Sequence, residues 1–113
     1  MKTSELTGAA LDWAVAKCEG FKYIHPSPAW INKHGARGDA QVMVSNKRNE
    51  SYDFDPVSNW AQGGPIIERE KIGTIFIGGE WQAQSFLYEG TGCGPTPLIA
   101  AMRCYCSSKL GDE

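Results

Sequence analysis

The sequence predicts a small α+β domain, in which an antiparallel sheet packs against an N-terminal and a C-terminal helix. Three observations predict this class. Helical patterns lie near both ends of the chain, β-branched and aromatic runs lie between them, and the pair Gly78-Gly79 joins the two clearest of these runs as a hairpin. Two helices that bracket a set of strands favour a sheet covered by helices on one side.

Length and composition are those of one domain. A chain of 113 residues lies near the commonest domain size and buries roughly two thirds of its unfolded surface on folding. Hydrophobic residues make up 42% of the chain and charged residues 21%, unlike the charge-rich composition of disordered chains. We therefore expect residues 1–113 to fold as a single domain.

The N-terminal helix is predicted over residues 7–18. Thr7 is suited to accept hydrogen bonds from the first-turn amides, and Gly20 lies where a left-handed terminator belongs. The apolar residues of this segment cover more than one stripe of the helix surface, so we expect it to pack on two sides.

Strands and turns are predicted next along the chain. Residues 21–25 are typical of a short strand, which Pro26 and Pro28 end, and residues 40–45 are typical of a second strand. Polar loops are expected over the segments between and after these strands, at residues 31–39 and 46–50.

The central segment lacks a sustained pattern. Residues 51–65 show no helical or strand periodicity, which indicates a long loop anchored by its aromatic side chains. Pro65 suits the first position of a helical turn, which we predict over residues 66–71. The hairpin follows, with strands over residues 74–77 and 80–87.

The C-terminal helix is predicted to begin with Thr96 as its cap and Pro97 as its first residue, and to end near Leu110. The glycine-rich residues 90–96 are expected to form a flexible approach to it. Apolar residues recur at spacings of three and four along this helix, so one of its faces should pack on the sheet.

Charge, hydropathy and cysteine usage exclude several classes of protein. A net charge of −2 does not supply the attraction on which general binding to duplex nucleic acid depends. No stretch approaches the ~18 apolar residues of a membrane span, and nothing resembles a secretion signal, so we expect a protein of the cytoplasm. The four cysteines are then expected to be reduced thiols.

No catalytic residue, metal site or cofactor is predicted. Neither His25 nor His34 stands in a signature that would activate a nucleophile, and Cys93 between two glycines is typical of a small residue in a tight loop. Cys104 and Cys106 lie two apart in a predicted helix, where they would not face one zinc ion.

Two glycine-proline segments, residues 60–65 and 90–97, are the candidate binding site, because each leads into a predicted helical start. Free amides and the helix dipole attract anions there, while Trp60 could stack on a base and Gln62 could recognise its edge. Neither segment has the spacing of a P-loop or a dinucleotide fold. The candidate ligand-binding residues are Trp60, Gln62, Gly63, Gly64, Arg69, Gly92, Gly94, Thr96 and Arg103. The alternative is structural: a tight turn at Gly63-Gly64-Pro65, a core position for Trp60 and a simple helix start at Thr96.

Three segments, residues 5–17, 60–70 and 94–105, resemble the NinX family of tailed phages. Residues 32–58 are too variable to carry the resemblance, and Cys106-Ser107 departs from the small apolar pair expected there. The resemblance implies a small phage accessory protein that acts in the cytoplasm of the bacterial host. It implies no functional residues. Small phage proteins of this kind often oppose host defences, and some trap nucleotide signals.

The sequence leaves open hypotheses from different classes. The first is a non-enzymatic binder, which could assemble as a homo-oligomer and sequesters a phosphate-bearing or nucleotide-derived signalling molecule through the two glycine-proline segments. The alternative is an accessory factor that binds a host or phage nucleic-acid enzyme through Trp30, Tyr52 or Trp81. A small nucleotide hydrolase or transferase would require a base and a nucleophile that the sequence does not show.

Overall fold

A computed structural model describes residues 6, 8–21, 24–25, 42–45, 51–87 and 90–110. These residues form an α+β fold, as predicted. Helix α1 spans Gly8–Cys18, α2 spans Trp60–Arg69 and α3 spans Pro97–Leu110. The strands form two three-stranded antiparallel sheets, in the orders β1-β2-β3 and β4-β5-β6. Their bounds are β1 Ile24–His25, β2 Met43–Ser45, β3 Ser51–Asp53, β4 Ile72–Ile77, β5 Glu80–Ser85 and β6 Thr91–Gly94.

Helix α1 ends at the predicted terminator. Gly20 has a φ of +86°, its amide donates to the Lys17 carbonyl, and the Phe21 amide donates to the Ala16 carbonyl. This pair of bonds is a Schellman motif, which glycine favours because it has no Cβ. Packing on more than one side is confirmed, since seven successive side chains are buried. They are Ala10, Leu11, Asp12, Trp13, Ala14, Val15 and Ala16. Thr7, the predicted cap, lies outside the described residues.

The predicted hairpin is confirmed as β4 and β5. Ile77 pairs with Glu80 across the two-residue turn, and both Gly78 and Gly79 have positive φ, which is the geometry of a type I′ turn. The second predicted strand is present as β2, and of the first only Ile24–His25 is a described strand. The predicted loops at 31–39 and 46–50 fall in stretches that are not described, as do Trp30 and His34.

The predicted loop over residues 51–65 was wrong. Part of it forms β3, and a full helix, α2, begins at Trp60 and contains Pro65 in its interior. The Asn59 side chain caps this helix by accepting from the Ala61 amide at 2.9 Å. Buried Gly63 and Ile66 pack α2 against its neighbours, and this packing outweighs the backbone hydrogen bond that a proline removes.

The predicted flexible approach at residues 90–96 was also wrong, because Thr91–Gly94 is strand β6, paired with β5. Helix α3 follows it as predicted: the Thr96 hydroxyl accepts from the Ile99 amide at 3.1 Å, Pro97 is the first residue, and Leu110 is the last. The helix packs on one face of the β4–β6 sheet and on α1. Among the described residues, no helix is long and apolar enough to cross a membrane.

Candidate functional site

The residues predicted from the first glycine-proline segment stabilise helix α2 and the turn before it. Gln62 accepts from the Asp55 amide at 2.7 Å and donates to the Asp53 carbonyl at 2.8 Å. Its amide group is therefore engaged with the backbone that leads into the helix. Trp60 is not a core residue, since 57% of it is exposed at the helix start.

The two adjacent glycines of α2 differ in their surroundings. A Cβ on Gly63 would lie 2.5 Å from both the Pro56 carbonyl oxygen and Leu98 Cδ2, whereas the nearest atom to a Cβ on Gly64 is in the Trp60 ring, at 4.0 Å. Gly63 thus allows α2 to approach the first turn of α3. The first predicted segment thus packs on Leu98, the residue that follows the second segment, and leaves no space for a ligand at this point.

The glycines of the second segment bring strand β6 against α3. A Cβ on Gly92 would lie 2.4 Å from the Ala100 carbonyl oxygen, and a Cβ on Gly94 would lie 2.7 Å from Ile99 Cγ2. No side chain fits between strand and helix at these positions. Thr96 is occupied as the cap of α3.

Arg103 links three elements at the edge of the β4–β6 sheet. Its Nε donates to the Leu6 carbonyl at 2.9 Å, and its Nη1 donates to the Cys93 carbonyl at 2.6 Å. The guanidinium therefore joins the chain before α1, strand β6 and α3.

Arg69 lies at the centre of a polar cluster that joins the three helices. It donates through both Nη atoms to the Glu19 carboxylate and through Nε to Glu70 at 2.7 Å. Tyr105 donates to Glu19 at 2.6 Å. Burial alone would raise the pKa of Glu19, but the bonds from Arg69 and Tyr105 outweigh it and lower that pKa. The bonds to Glu19 and Glu70 raise the pKa of Arg69 in turn.

Most of the residues of the predicted site therefore have structural contacts in the fold. Gly63, Gly92 and Gly94 allow close packing, and Gln62 and Thr96 bind backbone groups. Arg69 binds the Glu19 carboxylate, and Arg103 binds the Cys93 carbonyl. Their binding of a ligand stays a prediction.

A groove of about 450 Å³ lies elsewhere, on the face of the β4–β6 sheet away from α3. Strand register places Gln82 and Gln84 of β5 on this open face, because the intervening Ala83 is paired with Gly92 on the face that α3 covers. The ring of Phe86 folds over Gly73 at the end of the groove. The lining residues are Gly73, Thr74, Ile75, Gln82, Ala83, Gln84, Phe86, Thr91, Gly92 and Cys93.

Sequence reasoning missed this groove, although one signal was present. Gln82 and Gln84 alternate with Trp81 and Ala83 along a predicted strand, and a period of two puts the glutamines on one face. Gly92, one of the predicted ligand-binding residues, does border the groove. Which face is open depends on where α3 packs, and the alternation does not contain that information.

A carboxyl group and a pair of thiols inside the fold have shifted pKa values. Burial raises the pKa of the Asp12 carboxyl from 3.8 to about 7, although the Val57 amide, at 3.2 Å, opposes the rise. A hydrogen bond with Cys106 lowers the pKa of the Cys18 thiol and raises that of Cys106. Within the described residues, no three metal-binding side chains are grouped together.

Comparison with known proteins gives the chain its family. The family model described as "Bacteriophage P22, NinX" matches residues 2–109, and no curated protein matches. The match covers the three segments that carry the resemblance as well as the residues between them. The chain therefore belongs to the phage P22 NinX family.

Proposed function

We propose that this NinX-family protein is a non-enzymatic binder of a nucleotide-derived signalling molecule, and that it sequesters this molecule in the cytoplasm of the infected host and so counters host antiviral defence. The open-face groove is the observation that carries the proposal. Its volume of about 450 Å³ falls in the range of small-molecule sites. Family membership supplies the phage setting, and the step from binding to defence is part of the proposal.

The lining of the groove favours the base of a nucleotide as the recognised group. Gln82 and Gln84 each carry a donor and an acceptor on one amide, the pattern that pairs with the edge of adenine. The Phe86 ring, 78% exposed, offers a surface on which a base could stack, and such stacking contributes about 1 to 3 kcal/mol. The Thr91 hydroxyl adds a further polar contact at the same face.

The groove lining also supports binding without turnover. None of the ten described residues that line it is charged or is a histidine, so these residues offer no general base. The nucleophilic groups among these residues are the Cys93 thiol and the hydroxyls of Thr74 and Thr91, and a hydroxyl requires an adjacent base to become reactive. The proposal therefore places recognition on amide, hydroxyl and aromatic groups and assigns no bond-breaking step to them.

Calorimetry and thermal melting with adenine and guanine nucleotides, cyclic dinucleotides included, test the proposal. A ligand at 100 times its dissociation constant should stabilise the protein by about 2.7 kcal/mol. Phe86→Ala should weaken binding about five- to 150-fold, since the lost stacking contact contributes about 1 to 3 kcal/mol. The matched aromatic control is Trp60→Ala, which removes an exposed ring at the predicted segment and should leave affinity unchanged.

Two results would contradict the proposal in different ways. No melting shift with any nucleotide would argue against a nucleotide ligand altogether. Loss of binding in Trp60→Ala with full binding in Phe86→Ala would move the site from the groove to the glycine-proline segments.

The second candidate function, docking on a host or phage nucleic-acid enzyme, was predicted from Trp30, Tyr52 or Trp81, and the exposure of Trp60 also favours it. Exposed tryptophans are typical anchors of protein interfaces, and 57% of Trp60 is exposed. Co-purification of such an enzyme with the wild-type protein, lost in Trp60→Ala and kept in Phe86→Ala, would support this function over ligand binding.

A further inference from the structure

We propose that two copies of this chain pair through strand β4 to form one continuous six-stranded antiparallel sheet. Strand β4 is at the edge of the order β4-β5-β6. In the part of the chain that the structure describes, nothing pairs with its outer side. The inference does not depend on a ligand, so it can fail or hold independently of the proposed function.

The direction of the free backbone groups follows from the hairpin register. The Phe86 amide donates to the Lys71 carbonyl, so that pair is hydrogen-bonded, and bonded pairs alternate along an antiparallel ladder. The backbone groups of Gly73, Ile75 and Ile77 therefore point at β5. Those of Ile72, Thr74 and Phe76 point outward, as three regularly spaced sets of donors and acceptors.

The strand carries none of the features that protect exposed edges. Its sequence, Ile72-Gly73-Thr74-Ile75-Phe76-Ile77, has no proline and no charge, and its pairing with β5 runs without a bulge. Natural edge strands are usually blunted by charges, prolines or bulges because a bare edge recruits another strand. The absence of all three on an apolar strand indicates an edge that is covered by a partner strand.

Apolar surface accompanies this edge on both sides of the sheet. Five large side chains of the hairpin are between 52% and 78% exposed: Ile75, Phe76, Ile77, Phe86 and Leu87. At roughly 100 Å² each they expose about 500 Å², on the scale at which a patch marks an interaction site. Together with the backbone of the strand, this patch offers surface toward the ~800 Å² that each partner of a standard interface buries.

A second copy fits this edge because the strand is complementary to itself. A two-fold axis at Thr74 places Thr74 opposite Thr74 of the second copy, and Ile72 opposite Phe76 of the second copy. Both pairs use the outward backbone groups. Thr–Thr and aliphatic–aromatic pairs are favourable across strands, and no charge of β4 meets a like charge.

The same register also brings side chains of the two copies into contact on the open face. Ile75 would lie opposite Gly73 of the second copy, where the Phe86 ring of that copy already covers the glycine. The Ile75 side chain of one copy thus meets the Phe86 ring of the other copy, in the space that Gly73 leaves open because it has no side chain. Because the axis is perpendicular to the sheet, the two open faces point the same way and the two grooves adjoin.

Sedimentation velocity at micromolar concentrations, without ligand, tests the pairing. We expect a dimer whose apparent mass falls on dilution. Ile75→Lys should raise the dissociation constant about tenfold or more, because two lysines would lie diagonally across the axis. Gln82→Lys, on the same face but on β5, is the matched control and should remain dimeric. Melting curves of both variants report whether they stay folded.

A charge-swap mixture gives a result that misfolding does not mimic. Ile75→Lys and Ile75→Glu should each be monomeric alone, and an equimolar mixture should form a heterodimer, since opposite charges then face each other across the axis. A wild-type protein that stays monomeric, an Ile75→Lys variant as dimeric as the wild type, or a mixture without heterodimer would each overturn the proposal. So would a monomer whose β4 instead pairs with a strand of another protein.

Discussion

The two faces of the β4–β6 sheet differ in what their side chains do. On the covered face, β6 presents only Gly92 and Gly94 to α3, so the strand itself places no side chain against the helix. On the open face, the alternating Gln82 and Gln84 border a groove that none of the described helices covers. Gly92 and Gly94 thus mark where the strand touches the helix, while Gln82 and Gln84 on the open face present full side chains to the groove. Substitutions that distinguish the two faces test this difference directly.

The largest effect is expected at Gly92. In Gly92→Ala the new Cβ would meet the Ala100 carbonyl oxygen at 2.4 Å and the Cys104 amide nitrogen at 2.5 Å, and backbone atoms of a packed helix cannot move aside locally. We expect a loss of about 3 kcal/mol or more in the free energy of unfolding, measured by urea denaturation. Cys93→Ala, the next residue but on the open face, should change stability by less than about 0.5 kcal/mol. Equal losses would abolish the distinction between the faces.

The free energy of unfolding should depend on pH because of Asp12, a buried residue of α1. Its pKa is raised from 3.8 to about 7 by burial. Between these two pH values, the folded state therefore holds a proton on Asp12 that the unfolded state has released. This contribution to stability is present below about pH 4 and is lost as pH rises to about 7. Asp12→Asn should remove that slope.

At pH 8 we expect Asp12→Asn to be more stable than the wild type by on the order of 2 kcal/mol. One pKa unit corresponds to about 1.36 kcal/mol, and part of the gain is lost because the buried amide requires a new acceptor. Thermal melting at several pH values is the measurement. A wild-type stability that is flat between pH 4 and 7 would contradict a buried, protonated Asp12.

The two glycines of α2 should respond in opposite directions. Gly63→Ala should cost about 1 to 2 kcal/mol, because the Pro56 carbonyl oxygen is only 2.5 Å from the new Cβ. Gly64→Ala should stabilise by about 0.5 to 1 kcal/mol, since its Cβ has ordinary contacts and alanine favours a helix interior. Both belong to the predicted site, so unchanged stability with lost ligand binding in Gly63→Ala would support the original interpretation of that segment.

The smallest effect is kinetic and concerns the thiols. Cys93 is exposed on the open face, whereas Cys104 and Cys106 are buried in α3, and burial raises the pKa of the Cys104 thiol. A thiol reagent followed by mass spectrometry should therefore modify Cys93 first and Cys18 more slowly, and should reach the other two only on unfolding. Early modification of Cys104 would show that strand β6 separates from α3.

The sequence by itself determined the elements whose signals are local. The terminator at Gly20, the turn at Gly78-Gly79 and the cap at Thr96 each involve hydrogen bonds or dihedral angles within a few residues, and these predictions were confirmed. The long family-specific segments likewise sufficed to identify the NinX family.

Only the tertiary structure decided α2, β6 and the open groove. Pro65 and the glycines predict turns when taken alone, but packing of Gly63 on Pro56 and Leu98 holds a helix there, and pairing with β5 makes a strand of Thr91–Gly94. Whether glutamine or glycine faces α3 depends on contacts between residues far apart in the chain. Local propensity is a weak term next to such burial, which is why Gly63 and Gly94 of the predicted glycine-proline loops are buried in packed elements while Ile75, Phe76 and Ile77 of the hairpin stay exposed.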